Sequence, residues 1–208
     1  MNTKALPDAA FRRYDETPDS DFYQIPRLVT HIDDAAVNAV TQLYREYLPP
    51  TARVLDLMSS WVSHLPSEAE YPNVVGLGMN AQELAANPRL DAWMVQNLNE
   101  KPILPFPEAS FDACGLCVSI QYLTDPITVL RDVARVLTPG SPIVITFSNR
   151  CFPTKAVSVW QRCSDEEHLR LVGGYLKAAG NWDGITTLDR SPNPGKSDPL
   201  LAVVAHRM

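Results

Sequence analysis

Arg53-Val54-Leu55-Asp56-Leu57-Met58-Ser59-Ser60-Trp61-Val62-Ser63-His64-Leu65-Pro66 sets a short apolar run against a single acid, then two small hydroxyl residues. The run reads as a buried parallel strand with one carboxylate at its carboxyl end. Ser59 or Ser60 can cap a helix by accepting a backbone N–H bond, so the stretch predicts strand, tight turn and helix. In open α/β sheets small ligands bind at such junctions.

Upstream, Leu28, Val29, Ile32, Ala36, Val37, Val40, Leu43, Tyr44 and Tyr47 recur at three- and four-residue spacing. They predict an amphipathic helix over residues 26–47, ended by Pro49-Pro50. Residues 1–21 are polar, carry Pro7 and Pro18, and read as a loose arm. Downstream, residues 74–78 read as a second strand and residues 81–87 as a short helix stopped by Pro88. A further strand is expected over 111–119, a helix from Asp125-Pro126 to Val136, and a strand over 143–147 after the Pro139-Gly140 turn. Ser164 followed by Asp165, Glu166 and Glu167 predicts a capped helix to about Ala179, weakened or broken by Gly173-Gly174. Residues 185–188 and 200–205 read as an antiparallel pair across a Pro- and Gly-rich loop.

The chain has 208 residues, 45% of them hydrophobic, which suits one domain with residues 1–48 as an amino-terminal arm and 49–208 as its core. A net charge of −6 argues against an extended nucleic-acid surface. No apolar run reaches the ~18 residues needed to span a bilayer, and the start is polar, so a cytoplasmic protein is expected. Cys114 and Cys117 would face opposite sides of a strand, which suits buried structural residues better than a metal pair.

The ordered motifs resemble the class I S-adenosylmethionine (SAM)-dependent methyltransferases. Tyr122-Leu123-Thr124-Asp125-Pro126, Ala134-Arg135-Val136-Leu137 and Pro139-Gly140 resemble the helix-and-turn run of the small-molecule branch that includes ubiquinone and menaquinone methyltransferases. The resemblance covers roughly residues 50–150. It rests on the acid-ended first strand, Val74-Val75-Gly76-Leu77-Gly78-Met79-Asn80, Asn97-Leu98-Asn99, Ser110-Phe111-Asp112, Tyr122-Leu123-Thr124-Asp125-Pro126 and Pro139-Gly140. It implies an α/β, Rossmann-like, doubly wound fold: a mostly parallel seven-stranded sheet with an antiparallel last strand and an N-terminal helical lid over residues 1–48. It also implies in-line methyl transfer from SAM to a small-molecule acceptor, leaving S-adenosylhomocysteine, with no metal, no nucleic-acid partner and no membrane span.

By the same resemblance Asp56 would hold the methionine amino group, and the Ser59-Ser60 backbone would stand in for a glycine loop. Met79, Asn80, Asn97 and Leu98 would hold the adenosine, with Ser119 beside the transferable methyl. Tyr122 would orient an acceptor, or be a packing residue with a satisfied hydroxyl. His64, one helical turn past the loop, would be a neutral base or donor, or a histidine packed on Pro66 and Trp61. In the lid, Tyr23, Arg27 and His31 would face the ligands, with Arg27 and His31 four apart on one helical face; the alternative is a surface Arg and a capping His. After the fifth strand, Asn149, Arg150 and Lys155 would meet an acidic substrate, Trp160 would stack on it and Cys151 would lie nearby; the alternative is a structural turn.

Two departures set a rival reading. Met58, Ser59, Ser60 and Trp61 occupy a loop that the family fills with glycine, and a left-handed non-glycine residue there costs about 1 kcal/mol. Gly78 stands where the family usually has an acid for the ribose hydroxyls. The rivals are a non-catalytic binding or interaction protein that has lost SAM, and an enzyme using a different adenosyl-like or nucleotide ligand.

Overall fold

A computed structural model describes residues 6–208. The apolar runs become strands β1 (Arg53–Ser59), β2 (Asn73–Gly78), β3 (Ala92–Val95), β4 (Ala113–Cys117), β5 (Pro142–Phe147), β6 (Trp182–Asp189) and β7 (Leu201–Arg207). They form one sheet in the order β3-β2-β1-β4-β5-β7-β6. Pairing is parallel from β3 to β5, and β7 runs antiparallel to both β5 and β6. This is the expected doubly wound, mostly parallel sheet, with the antiparallel strand last in the chain. The helices are α1 (Asp19–Phe22), α2 (Asp34–Tyr47), α3 (Ala81–Ala86), α4 (Pro126–Val136), α5 (Ser158–Gln161) and α6 (Asp165–Ala179).

Alternation along the strands divides the core in two, because successive side chains leave opposite faces of the sheet. Leu55, Leu57, Cys114 and Leu116 pack with Val129, Val133, Leu171 and Tyr175 of α4 and α6. Val54, Val74, Ala113 and Val144 pack with Val40, Leu43 and Tyr44 of α2. Burial on both faces is why these strands read as continuous apolar runs. Tyr44 lies so close to β4 that a methyl on Gly115 would stand 2.8 Å from its Oη, which reserves that position for glycine.

Three local expectations are corrected. The helix predicted over 26–47 starts at Asp34, because the Asp33 side chain accepts the Ala36 N–H and caps it there. Residues 23–33 instead form an irregular strap, in which Leu28 and Val29 are exposed despite their helical spacing. No helix follows β1: the Ser59 and Ser63 hydroxyls donate to Asp56 rather than capping a turn. The helix over Gly173-Gly174 is unbroken. A Ser164/Glu167 capping box and the burial of Leu171, Val172, Tyr175 and Leu176 outweigh a glycine penalty of about 1 kcal/mol each.

The amino-terminal arm is also not loose where the structure describes it; its first five residues lie outside the described ones. Ala10 is buried, and Phe11 meets Tyr175 with ring centroids 6.0 Å apart. Arg13 donates to Asp19 at 2.6 Å, and the buried Lys155 ammonium lies 3.4 Å from Asp15 and from Asp19. Lys155 is therefore a structural cation of the arm and not a substrate contact. Trp160 is likewise buried, stacked on His168 at 3.9 Å, which removes it from substrate stacking. No helix among the described residues is long and apolar enough to cross a membrane.

Candidate active site

The carboxyl ends of β1, β2 and β4 open into a cavity of about 520 Å³, roofed by the strap and bordered by residues 149–152. Asp56 is a buried acid of its lining. It sits on the α2 face of β1, 7% exposed, and accepts the Ser59 hydroxyl at 2.5 Å and the Ser63 hydroxyl. Burial pushes its carboxyl up to about 6, although both hydroxyl bonds pull the other way. Asn87 Nδ2 fixes the loop by donating to Ser60 O and Ser63 Oγ.

The loop solves the missing-glycine problem at Met58, whose φ of +55° is left-handed and coincides with a bulge between Leu57 and Ser59. Val118, just past β4, has φ of +47°. Such strain at two strand ends facing one cavity is the pattern of a ligand site. Gly78 follows from the same bulge: a methyl there would stand 2.1 Å from Ser59 O, so no acid can occupy the position.

Most residues singled out from sequence line this cavity, but the contacts differ from those expected. Met79 and Leu98 form apolar wall, and Asn97 Oδ1 accepts the Asn99 N–H while its amide donates to Glu100. Ser119 Oγ is buried with no hydrogen-bond partner among the described residues. Tyr122 Oη accepts the Phe152 N–H at 2.9 Å, and burial pushes its hydroxyl up to about 12. His64 is not at a helix terminus; burial alone pushes its imidazole down.

Asn80 is a correction. It caps α3 through Oδ1, and its amide donates to Tyr23 O and Gln24 O, so its side chain is spent outside the cavity. Arg27 and His31 share the strap and not a helical face. The Arg27 guanidinium lies 4.5 Å from the Phe22 ring centroid and 5.3 Å from that of Phe152, and donates to Phe22 O. His31 meets Phe152 edge-on at 5.1 Å, and its imidazole is held down by burial, against the pull of Glu83. Tyr23, at the start of the strap, lines the cavity, and burial raises its hydroxyl. Asn149 and Arg150 are exposed at the rim, with Arg150 3.8 Å from Asp198. Burial raises the Cys151 thiol, which suits a lining group and not a thiolate. Trp61 walls the cavity and does not fill it: its Nε1 donates to Val29 O and so pins the strap.

Two carboxylates escaped the sequence reading. Glu83, 8% exposed on α3, accepts the Ser60 hydroxyl at 2.6 Å and the Arg27 N–H at 2.7 Å. Its signal was available, since Asn80-x-x-Glu83 has helix-start spacing directly after an apolar strand. Asp19 receives Arg13 and Asn99, and nothing in a polar arm marks it.

Residues 60–145 match the family model described as a methyltransferase domain. Methyltransferase str3 of Strobilurus tenacellus is 24% identical over 174 residues, which is 80% of this chain and 56% of that protein. The chain thus spans about half the length of this curated relative. A SAM-dependent methyltransferase from Mesorhizobium loti superposes with a TM-score of 0.57 at 18% identity, covering 81% of this chain and 98% of its own. SpnF, a (4+2)-cyclase, superposes with a TM-score of 0.62 at 16% identity, covering 90% of this chain and 91% of its own. The family model covers less than half of the chain, and the structural likenesses show the Rossmann-like fold that these proteins share.

Proposed function

We propose that the chain is a SAM-dependent methyltransferase acting on a small-molecule acceptor, with S-adenosylhomocysteine as the product. The observation that carries the reading is the buried Asp56 at the end of the central strand, beside left-handed Met58, in a cavity also lined by Ser119, whose buried hydroxyl has no partner among the described residues. A buried acid with no cation beside it and an orphaned hydroxyl both cost stability, which suits groups kept for a polar, cationic ligand.

The bound sulfonium supplies an activated methyl, so the protein's task is alignment and exclusion of water. Asp56 would hold the ammonium of the amino-acid portion, helped by the Ser59-Ser60 backbone. Met79, Asn97 and Leu98 would hold the base, and Ser119 would donate into the centre of the site. On the acceptor side, the neutral His64 imidazole would take a proton or accept a hydrogen bond. Tyr122 would orient the acceptor, because its oxygen is fixed by the Phe152 N–H while its proton is left to donate. Tyr23, Arg27 and His31 on the strap, with Asn149 and Arg150 at the rim, would enclose the acceptor and limit its size and charge.

A second reading, a non-catalytic binding or interaction protein of methyltransferase fold that has lost SAM, is favoured by the sterically closed Gly78. Calorimetric titration with SAM and with S-adenosylhomocysteine separates the two. Saturable micromolar binding is expected; absence of binding at millimolar ligand overturns the first reading.

A further inference from the structure

The bulge at the end of β1 forbids any side chain at Gly78, because Ser59 O lies 2.1 Å from where a Cβ would be. A ligand with a vicinal diol therefore has no acid to meet it from the end of β2, where dinucleotide-type folds usually supply one. Among the described residues three acids line the cavity: Asp19, Asp56 and Glu83. Asp19 is taken by Arg13, Lys155 and Asn99, and Asp56 by two serine hydroxyls.

Glu83 differs in place and in how its remaining capacity is spread, since Asp56 accepts both serine hydroxyls on Oδ2 and keeps its free sites on Oδ1 alone. Its Oε1 accepts one N–H from Arg27 and its Oε2 one O–H from Ser60. A carboxylate has about four acceptor sites, so each oxygen keeps one. Two free sites on adjacent oxygens match two hydroxyls on adjacent carbons. The carboxylate is also already fixed: Asn80 caps the turn of α3 that carries it, and Ser60 and the strap orient its two oxygens. It bridges the end of β1, where Asp56 lies, to the segment after β2, where Met79 begins the apolar wall.

We propose that Glu83 is the diol-binding acid of this site and selects nucleoside ligands that carry both ribose hydroxyls. The inference rests on the adenosyl-ligand reading above and places its ribose contact on α3 instead of β2. Because Arg27 N–H shares the same carboxylate, a bound diol and the strap would be held by one group.

The test is calorimetric titration of the full chain and of Glu83→Gln with S-adenosylhomocysteine and with its 2′,3′-dideoxy analogue. The wild type should prefer the natural compound by about 10-fold or more, the range for hydrogen bonds to a charged group. Glu83→Gln should lose most of that preference while binding the dideoxy analogue about as the wild type does. Ser60→Ala, which keeps the carboxylate, should retain the preference. Equal loss of both ligands in Glu83→Gln would make Glu83 only a support for Ser60 and the strap, and overturn the proposal. A wild type that binds both ligands equally overturns it without recourse to any variant. A wild type that binds neither overturns the methyltransferase reading itself and this proposal with it.

Discussion

On one side of the sheet every residue of β5 is buried, and β7 is buried along most of its length. Phe147 packs edge-on to Trp160 at 5.2 Å, and α4 and α6 share its core cluster. On the other side all four residues of β3 are exposed, no helix joins β1 to β2, and α3 has only six residues. Here the chain is held by directed polar contacts: Asn87 to the serine loop, Asn80 to the strap, Glu83 to Ser60 and Arg27, and Trp61 to Val29. The first region is stabilised by apolar area. The second gives up area for polar groups that face a cavity, so stability and ligand binding should separate between them.

The contrast is broken most directly by removing apolar volume from the packed side. Phe147→Ala should destabilise the fold by roughly 3–5 kcal/mol, as large-to-small changes in close-packed cores do. Urea unfolding measures this, and a loss below about 1 kcal/mol would show that β5 is not the stabilising centre.

Asp56 should behave in the opposite sense. Burial holds its folded-state carboxyl at about 6, against 3.8 when unperturbed. Between those values the folded protein keeps a proton that the unfolded chain has released, so this group's contribution to stability falls as pH rises through the window. The ionised form costs on the order of 3 kcal/mol at pH 7. Asp56→Asn should therefore gain stability relative to the wild type between pH 4 and pH 7 while losing S-adenosylhomocysteine binding. If the difference between the two proteins does not change with pH, Asp56 does not carry a buried charge. If binding survives, Asp56 leaves the site.

The same division explains what could be read from the chain. Val54-Leu55, Val74-Val75 and Ile143-Val144-Ile145 are apolar because both faces of a parallel strand are covered, and periodicity exposes that at once. The position of Asp56 follows from its strand. The strap does not, because its contacts run from backbone carbonyls to Asn80 and Trp61 and leave Leu28 and Val29 with a helical rhythm they do not use. Lys155 and Trp160 misled in the same way: residue type suggested a substrate, whereas Lys155 is buried against the distant Asp15 and Asp19, and Trp160 against His168 of the following helix. Gly78 looked like a lost function and is a steric consequence of Ser59 O, visible only once the bulge has a shape. β3 went unseen because a four-residue exposed edge has neither alternation nor burial.

Trp61→Phe sharpens the comparison within the cavity side. It keeps an aromatic ring, though a smaller one, and removes the Nε1–H bond to Val29 O, for an expected cost of about 1 kcal/mol. Hydrogen exchange should show residues 23–33 opening more often, with β5 amides unchanged, because local openings are largely independent of the global transition. Equal acceleration in both regions would mean that the strap and core open as one unit.

The smallest effect belongs to the outer edge. Val95 is about half exposed on β3, so Val95→Ala removes methyl groups that little protein covers. The expected change in urea unfolding is within about 0.5 kcal/mol, well below that of Phe147→Ala, although both positions lie in strands of one sheet. A cost of 2 kcal/mol or more would mean that Val95 is covered in solution, since an apolar side chain on an edge strand gains that much only from burial. Repeating the measurement over a range of protein concentrations would then decide the source of the cover, because stabilisation by a second copy rises with concentration and packing within one chain does not.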